Sequence, residues 1–319
     1  MEAAEAGLLR RGLRMTHLRL IAALSETGQI SAAAAALAIS QPAASRLAAE
    51  LEGVIGAKLY LRHARGVALT EAGALFAARA RAALGQMRDA QRDLDAALSG
   101  GGGAVAVGAV TAPAVELLAP ALRALRLSHP EIEVSVQVET SRVLIRALAA
   151  GQLDFVIGRI PEEMDPAAFD IRVIGPERAC VVARAGHPLA GAAGVDFARL
   201  AGFDWVMQPP GSPLRRAVED AFLTEGAPLP PRALNTASLI MTVATLRASD
   251  AVAAVSEAAA ATLIDGGGPL ARLATRRPLV VPPFGLIRLR GAAPPPPVRT
   301  VHAAVAALAG RLRNGAPSG

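Results

Sequence analysis

Apolar and polar positions along the chain follow two regimes. Over roughly the first hundred residues apolar side chains recur at helical spacing, and from Ala104 onward short apolar runs alternate with helical stretches. Near the start, a helix is predicted over Thr16–Thr27, and SAAAAALAISQPAASRLAAELE, from Ser31 to Glu52, reads as two short helices around a tight turn. Ser31 and Ser40 stand where N-caps belong, since a serine oxygen accepts from a free first-turn N–H. In the second helix Ala44, Leu47, Ala48 and Leu51 form an inward stripe, leaving Gln41, Pro42, Ser45 and Arg46 outward. Pro42 falls in the first turn, where its missing N–H costs nothing. Ala32 to Ala36 let the helices cross closely, and Ile39 is expected to plug the turn. Such a pair can set its second helix in a DNA major groove, with Gln41 matched to adenine, Arg46 to guanine or phosphate, and Ser45 to either. An ordinary helical hairpin with a wet polar face fits the segment equally well.

The next residues bear on that choice. KLYLRHARGVALT, Lys58 to Thr70, alternates apolar residues around a basic tip and predicts a small wing on which Lys58, Arg62 and Arg65 would grip phosphates. Thr70 can cap a helix that runs to Leu98 with a pause at Gly73. Along it Leu84, Met87, Gln91, Leu94 and Leu98 follow the three-four spacing of a coiled-coil seam. So narrow a stripe needs a partner, either a second copy or the chain's own C-terminal part. Ser99 to Gly103 is a glycine joint; it lacks the Lys-Ser/Thr of a phosphate loop and follows a helix, not a strand.

Beyond the joint, strands are predicted in AVAVGAV, EIEVSVQVE, LDFVIG, RACVVAR, DWVMQ, RALNT, AVAAVS and LVVPPFGLIRLR. Helices are predicted over 115–128, 141–150, 213–225, 238–247, 257–264 and 298–313. The alternation comes in two successive sets and describes α/β architecture in two lobes, each a largely parallel sheet covered by helices.

The order of parts, AISQPAASRLAAELE followed by GAKLYLRHARGVALTEAG and a long helix, resembles the LysR-type transcriptional regulators across residues 15 to about 98. The chain departs from the pattern at Leu47, Ala48 and Ala49, where many relatives are polar or basic, so fewer side chains are expected at DNA. The resemblance implies an α/β protein with an N-terminal winged helix-turn-helix, a long linker helix that dimerises, and a two-lobed effector-binding domain resembling a type II periplasmic binding protein. The expected divisions are an extension, 1–14; a DNA-binding domain, 15–72; a linker helix, 73–99; and an effector domain, 100–319. Within the last, lobe one is about 104–161 plus 268–313 and lobe two about 162–267, an exchange that comes from the resemblance and not from the pattern.

In open α/β sheets ligands lie beyond the carboxyl ends of strands. Those places hold Thr111, Thr140, Ser141, Arg159, the turn containing Pro210, Gly211 and Ser212, Thr236, Ser238 and Ser256. For each hydroxyl, helix capping is the competing account. Arg159 can pair with a ligand carboxylate or with Glu162 or Glu163. The resemblance supports Thr111, Ser141, Ser212 and Ser238 most.

Composition narrows the classes. The 319 residues, 52% apolar and 19% charged, suffice for two or three domains. A net charge of +6 suits a polyanion, although a GC-rich coding sequence yields the same arginine bias. The single cysteine, Cys180, excludes an internal disulfide and reads as a buried, inert thiol. The five histidines lie without metal-site spacing, and neither a G-x-S-x-G elbow nor a cysteine–base pair is present. No cofactor, metal or enzymatic activity is expected. With no signal-peptide core and no membrane-length apolar run, the protein is expected in the cytoplasm. A transport solute-binding protein would fit the two lobes but predicts a secretory signal and no DNA-binding head. The sequence therefore points to a homodimeric or homotetrameric regulator. Its expected partners are a double-stranded DNA operator, RNA polymerase and a small effector, either an organic acid or sugar-like.

Overall fold

The computed structural model describes residues 7–63, 66–98, 103–265, 267–291 and 293–313. It divides into two compact units, the first mainly residues 1–101 and the second mainly 102–319.

The first unit begins with α1 (Met15–Thr27), α2 (Ile30–Ala36) and α3 (Gln41–Ile55). Leu20, Leu24, Ile30, Ala33, Ala44 and Ala48 close the core between them. Helix α2 starts earlier than expected. Burial of Ile30 beside Ala33 and Ala34 draws it into the helix, so Gln29 is the N-cap and Ser31 is an exposed first-turn residue that caps nothing. The turn also differs from expectation. Ala38 takes the left-handed conformation at φ 56°, Leu37 packs under the turn, and Ile39 remains 36% exposed instead of plugging it. Ser40 does cap α3, accepting from the Ala43 N–H at 3.4 Å.

The wing forms as an antiparallel pair, β1 (Tyr60–His63) and β2 (Gly66–Leu69), in the register Tyr60–Leu69 to His63–Gly66. Helix α4 (Glu71–Leu98) follows, with Thr70 Oγ1 accepting from the Gly73 N–H at 3.0 Å. The pause at Gly73 is a point of close approach. A Cβ there would lie 1.8 Å from the Leu59 carbonyl oxygen, so only glycine lets α4 meet the strand entry.

The second unit carries a sheet ordered β4-β3-β5-β11-β6-β9-β7-β8, with β10 on β6. In chain order it comprises β3 (Gly103–Ala109), α5 (Ala119–Ser128), β4 (Ile132–Val138), α6 (Ser141–Ala149), β5 (Phe155–Gly158), β6 (Phe169–Arg184) and α7 (Phe197–Leu200). There follow β7 (Trp205–Met207), α8 (Pro213–Thr224), β8 (Ala233–Asn235), α9 (Leu239–Ala248), β9 (Val252–Ser256), α10 (Glu257–Ile264), β10 (Leu270–Leu273), β11 (Leu279–Leu289) and α11 (Pro296–Arg313). The helix expected from Val115 begins at Thr111 and passes through a π-helical segment, Ala114–Leu118, before α5.

Two antiparallel strands, β6 and β11, belong to both lobes. Strand β6 gives Ile174 to the first core and Ala179 to the second; β11 gives Leu279 and Val281 to the second and Phe284 and Leu286 to the first. The lobe divisions expected from sequence shift accordingly. Leu270 and Leu273 pack with the second lobe, since β10 pairs β6 at Val181–Arg184, while Phe169 and Ile174 pack with the first. Between the lobes the β6–β11 register slips around Pro282 and Pro283, which lack the N–H that a regular ladder requires.

Candidate functional site

On the first unit, Gln41, Pro42 and Arg46 are exposed along the outward side of α3 and Ser45 is half-buried. Ala44, Ala48 and Leu51 point inward, with Leu47 half-buried against them. Arg46 lines a shallow surface groove that also includes Thr16 and Arg19, both exposed, so α1 adds a cation beside the outward face. Nothing in the sequence of α1 marks which side meets α3, so Arg19 was not legible as part of this face. Arg14 is engaged with Glu50 of α3. His17 is buried and its Nδ1 accepts from the Arg14 N–H at 3.1 Å. Burial, then the neighbouring Arg14 charge, lowers its pKa, which favours the neutral ring.

Arg62 is exposed on the wing, and Arg65 lies outside the described residues. Lys58 is exposed and also pairs within the chain. Its Nζ donates to Glu52 Oε2 at 2.7 Å, and Glu52 Oε1 accepts from the Leu59 N–H at 2.9 Å. On α4, Leu84 is half-buried, Gln91 is exposed, and Met87 and Leu94 are each 58% exposed; the Leu98 side chain lies outside the described ones.

In the second unit an open cavity lies between the lobes. It gathers Thr111, Thr140, Ser141, Arg159, Ser212, Thr236 and Ser256 from the predicted strand ends. Pro210 and Gly211 line an adjoining groove, while Ser238 lines neither and accepts from the Met241 N–H at 3.2 Å. Several hydroxyls do both jobs. Ser212 accepts from the Arg215 N–H and Ser256 from the Ala259 N–H, each at 3.2 Å, so they cap α8 and α10 while facing the cavity. Ser141 Oγ instead accepts from the Arg159 N–H at 3.1 Å, tying α6 to the end of β5. Thr111 shows no hydrogen bond from its hydroxyl among the described residues.

Arg159 pairs with neither Glu162 nor Glu163. Its partner is Glu177 of β6, Nη2 to Oε2 at 2.7 Å, with both side chains nearly buried at 12% and 11% exposure. The guanidinium also donates from Nε to the Pro282 carbonyl at 2.8 Å and lies 5.9 Å from the Phe284 ring centre. Glu177, Gln208, Glu139 and Thr242 line the cavity and were missed from sequence. Gln208 and Glu139 directly follow strands and were findable by the strand-end rule. Glu177 lies inside a strand longer than the apolar run that signals it, and Thr242 sits a turn into α9.

Among the described residues no group of three or more His, Cys, Asp or Glu side chains could hold a metal, and no helix is long and apolar enough to cross a membrane. Cys180 is buried, and burial together with the Glu257 charge pushes its thiol up to about 12, which makes it a poor nucleophile.

Residues 15–74 match the family described as bacterial regulatory helix-turn-helix protein, lysR family, and residues 99–310 match the LysR substrate binding domain. The HTH-type transcriptional regulator GbpR of Rhizobium radiobacter is 48% identical over 245 residues, 76% of this chain and 81% of that protein. The GbpR of Azospirillum brasilense is 37% identical over 300 residues, 94% of this chain and 87% of that one. Among solved structures, full-length CbnR complexed with its target DNA has a TM-score of 0.57 at 24% identity, covering 93% of this chain and 100% of that one.

Proposed function

The chain belongs to the LysR family of DNA-binding transcriptional regulators with an effector-binding domain, and from that premise we propose how its residues divide the work. Gln41, Pro42, Ser45 and Arg46 read the operator, and Arg19 and Arg62 add phosphate contacts. The observation that carries this assignment is the outward face of α3, where Gln41 and Arg46 are exposed while the opposite side is buried. Two copies pair through the stripe on α4, whose Met87 and Leu94 are largely uncovered in the single chain. Pairing places two heads on two half-sites. RNA polymerase is the downstream partner.

The cleft between the lobes holds the small-molecule effector. A molecule bridging Thr111 and Ser141 on one side to Ser212 and Ser256 on the other favours one closure about β6 and β11. The work of the chain is binding, with no chemical step.

The DNA assignment is tested by fluorescence anisotropy on an operator isolated by selection from random DNA. Arg46→Ala should weaken binding by about 1–3 kcal/mol, roughly 5- to 150-fold, and relax preference at one position. Arg62→Ala should weaken all sequences alike and flatten the salt dependence. Unchanged operator affinity in Arg46→Ala would place the reading face elsewhere.

A further inference from the structure

We propose that the effector of this cleft is a neutral, hydroxyl-bearing molecule, and that Glu177 enforces this choice by keeping Arg159 occupied. The proposal rests on the cleft being the effector site. Among the described residues Arg159 is the cation of the cavity lining, and its guanidinium is already held by Glu177 and by the Pro282 carbonyl. The arginines of the adjoining groove are also paired, Arg142 with Glu163 at 3.0 Å and Arg216 with Glu162 at 3.4 Å. Glu139 lines the cavity with no ion pair among the described residues, so the surplus charge there is negative.

A carboxylate entering this cleft would give up water and find no unpaired cation among the described residues. An amine gains little, since Glu177 is neutralised and Glu139 is exposed. Uncharged donors are plentiful. Ser141, Ser212 and Ser256 accept a backbone N–H and keep their own O–H proton to give, and Thr111 makes no side-chain hydrogen bond among the described residues. Helix N-termini attract anions, but the serines on α8 and α10 have already taken up a first-turn N–H. Val206, Leu239 and Val255 supply an apolar floor for the C–H faces that such a molecule carries between its hydroxyls.

The test is calorimetric titration of the full chain with D-aldohexoses and D-aldopentoses and, in parallel, with the matching aldonates and amino sugars. The wild type is expected to bind an aldose in preference to its aldonate and its amino sugar. Glu177→Gln, which keeps the shape and frees Arg159, should strengthen aldonate binding about tenfold or more, as a charge-assisted hydrogen bond becomes available. The double variant Arg159→Gln with Glu177→Gln should gain no aldonate affinity, and it carries the test if the single variant fails to fold. Preference of the wild type for an aldonate or amino sugar, or failure of every aldose to bind, overturns the proposal. Ser212→Trp separates the two levels. Loss of binding in that variant keeps the cleft as the site whatever the ligand class, whereas retained binding overturns the cleft itself.

Discussion

Single residues in this protein are defined by what they are paired with. Glu52 is the clearest case in the first unit, a carboxylate only 9% exposed that takes the Lys58 ammonium on one oxygen and the Leu59 N–H on the other. Burial alone would raise its pKa; the Lys58 bond and the backbone N–H groups of Leu59 and Tyr60 outweigh that and lower it. A depressed carboxylate pKa stabilises the fold at pH values above the unfolded pKa, about 4.3, and that contribution disappears as pH falls through the folded value. Glu52→Gln should therefore cost about 1–2 kcal/mol at pH 7, discounted for the exposed Lys58, and denaturant titrations should show the gap closing well below pH 4. A gap that persists unchanged in acid would show that packing, not charge, holds Glu52. The expected phosphate contact of Lys58 rests on its place on a basic wing; its pairing with Glu52, six positions earlier on another element, was not legible in the sequence. The same blindness applies at Arg159. Its position at a strand end was legible, but its partner Glu177 was not, because ion pairs are fixed by tertiary register and leave no periodic trace.

Elements were more legible than pairings. Helix α10, Glu257–Ile264, forms where the pattern placed it, and α3 starts at its predicted cap, since capping serines and apolar periodicity are local signals. Where the pattern misplaced a start, as at α2, a buried residue had pulled the helix past the cap signal. Strand β6 exceeds its predicted length because it serves two cores and its crossing segment is polar. Gly73 shows the opposite case, a visible residue whose reason lay in tertiary contact. Gly73→Ala should destabilise the first unit by about 1–3 kcal/mol, because the new methyl meets backbone that cannot swing aside. Thermal unfolding checks this, and a variant as stable as wild type would mean that α4 can retreat from Leu59 without cost.

At the scale of the whole molecule, alternation of strands and helices announced two α/β lobes, whereas their exchange through β6 and β11 came only from family resemblance. Pattern cannot tell which strands pair across a sheet. The crossing is what gives the cleft a mechanism. Both lobes hang on two continuous strands whose register slips at Pro282 and Pro283, and the Arg159–Glu177 pair joins the end of β5 to that crossing at the cavity wall. A ligand in the cleft would act where the lobes meet. The account predicts that cleft occupancy changes how the protein holds DNA, and the most direct measurement is a DNase I footprint of the full chain on the DNA flanking its own gene. It is taken with and without the aldose that binds most tightly, at saturation. The ends of the footprint, or the cleavage pattern within it, should move when the sugar is added. A footprint identical in both conditions, with the cleft demonstrably filled, would contradict the account.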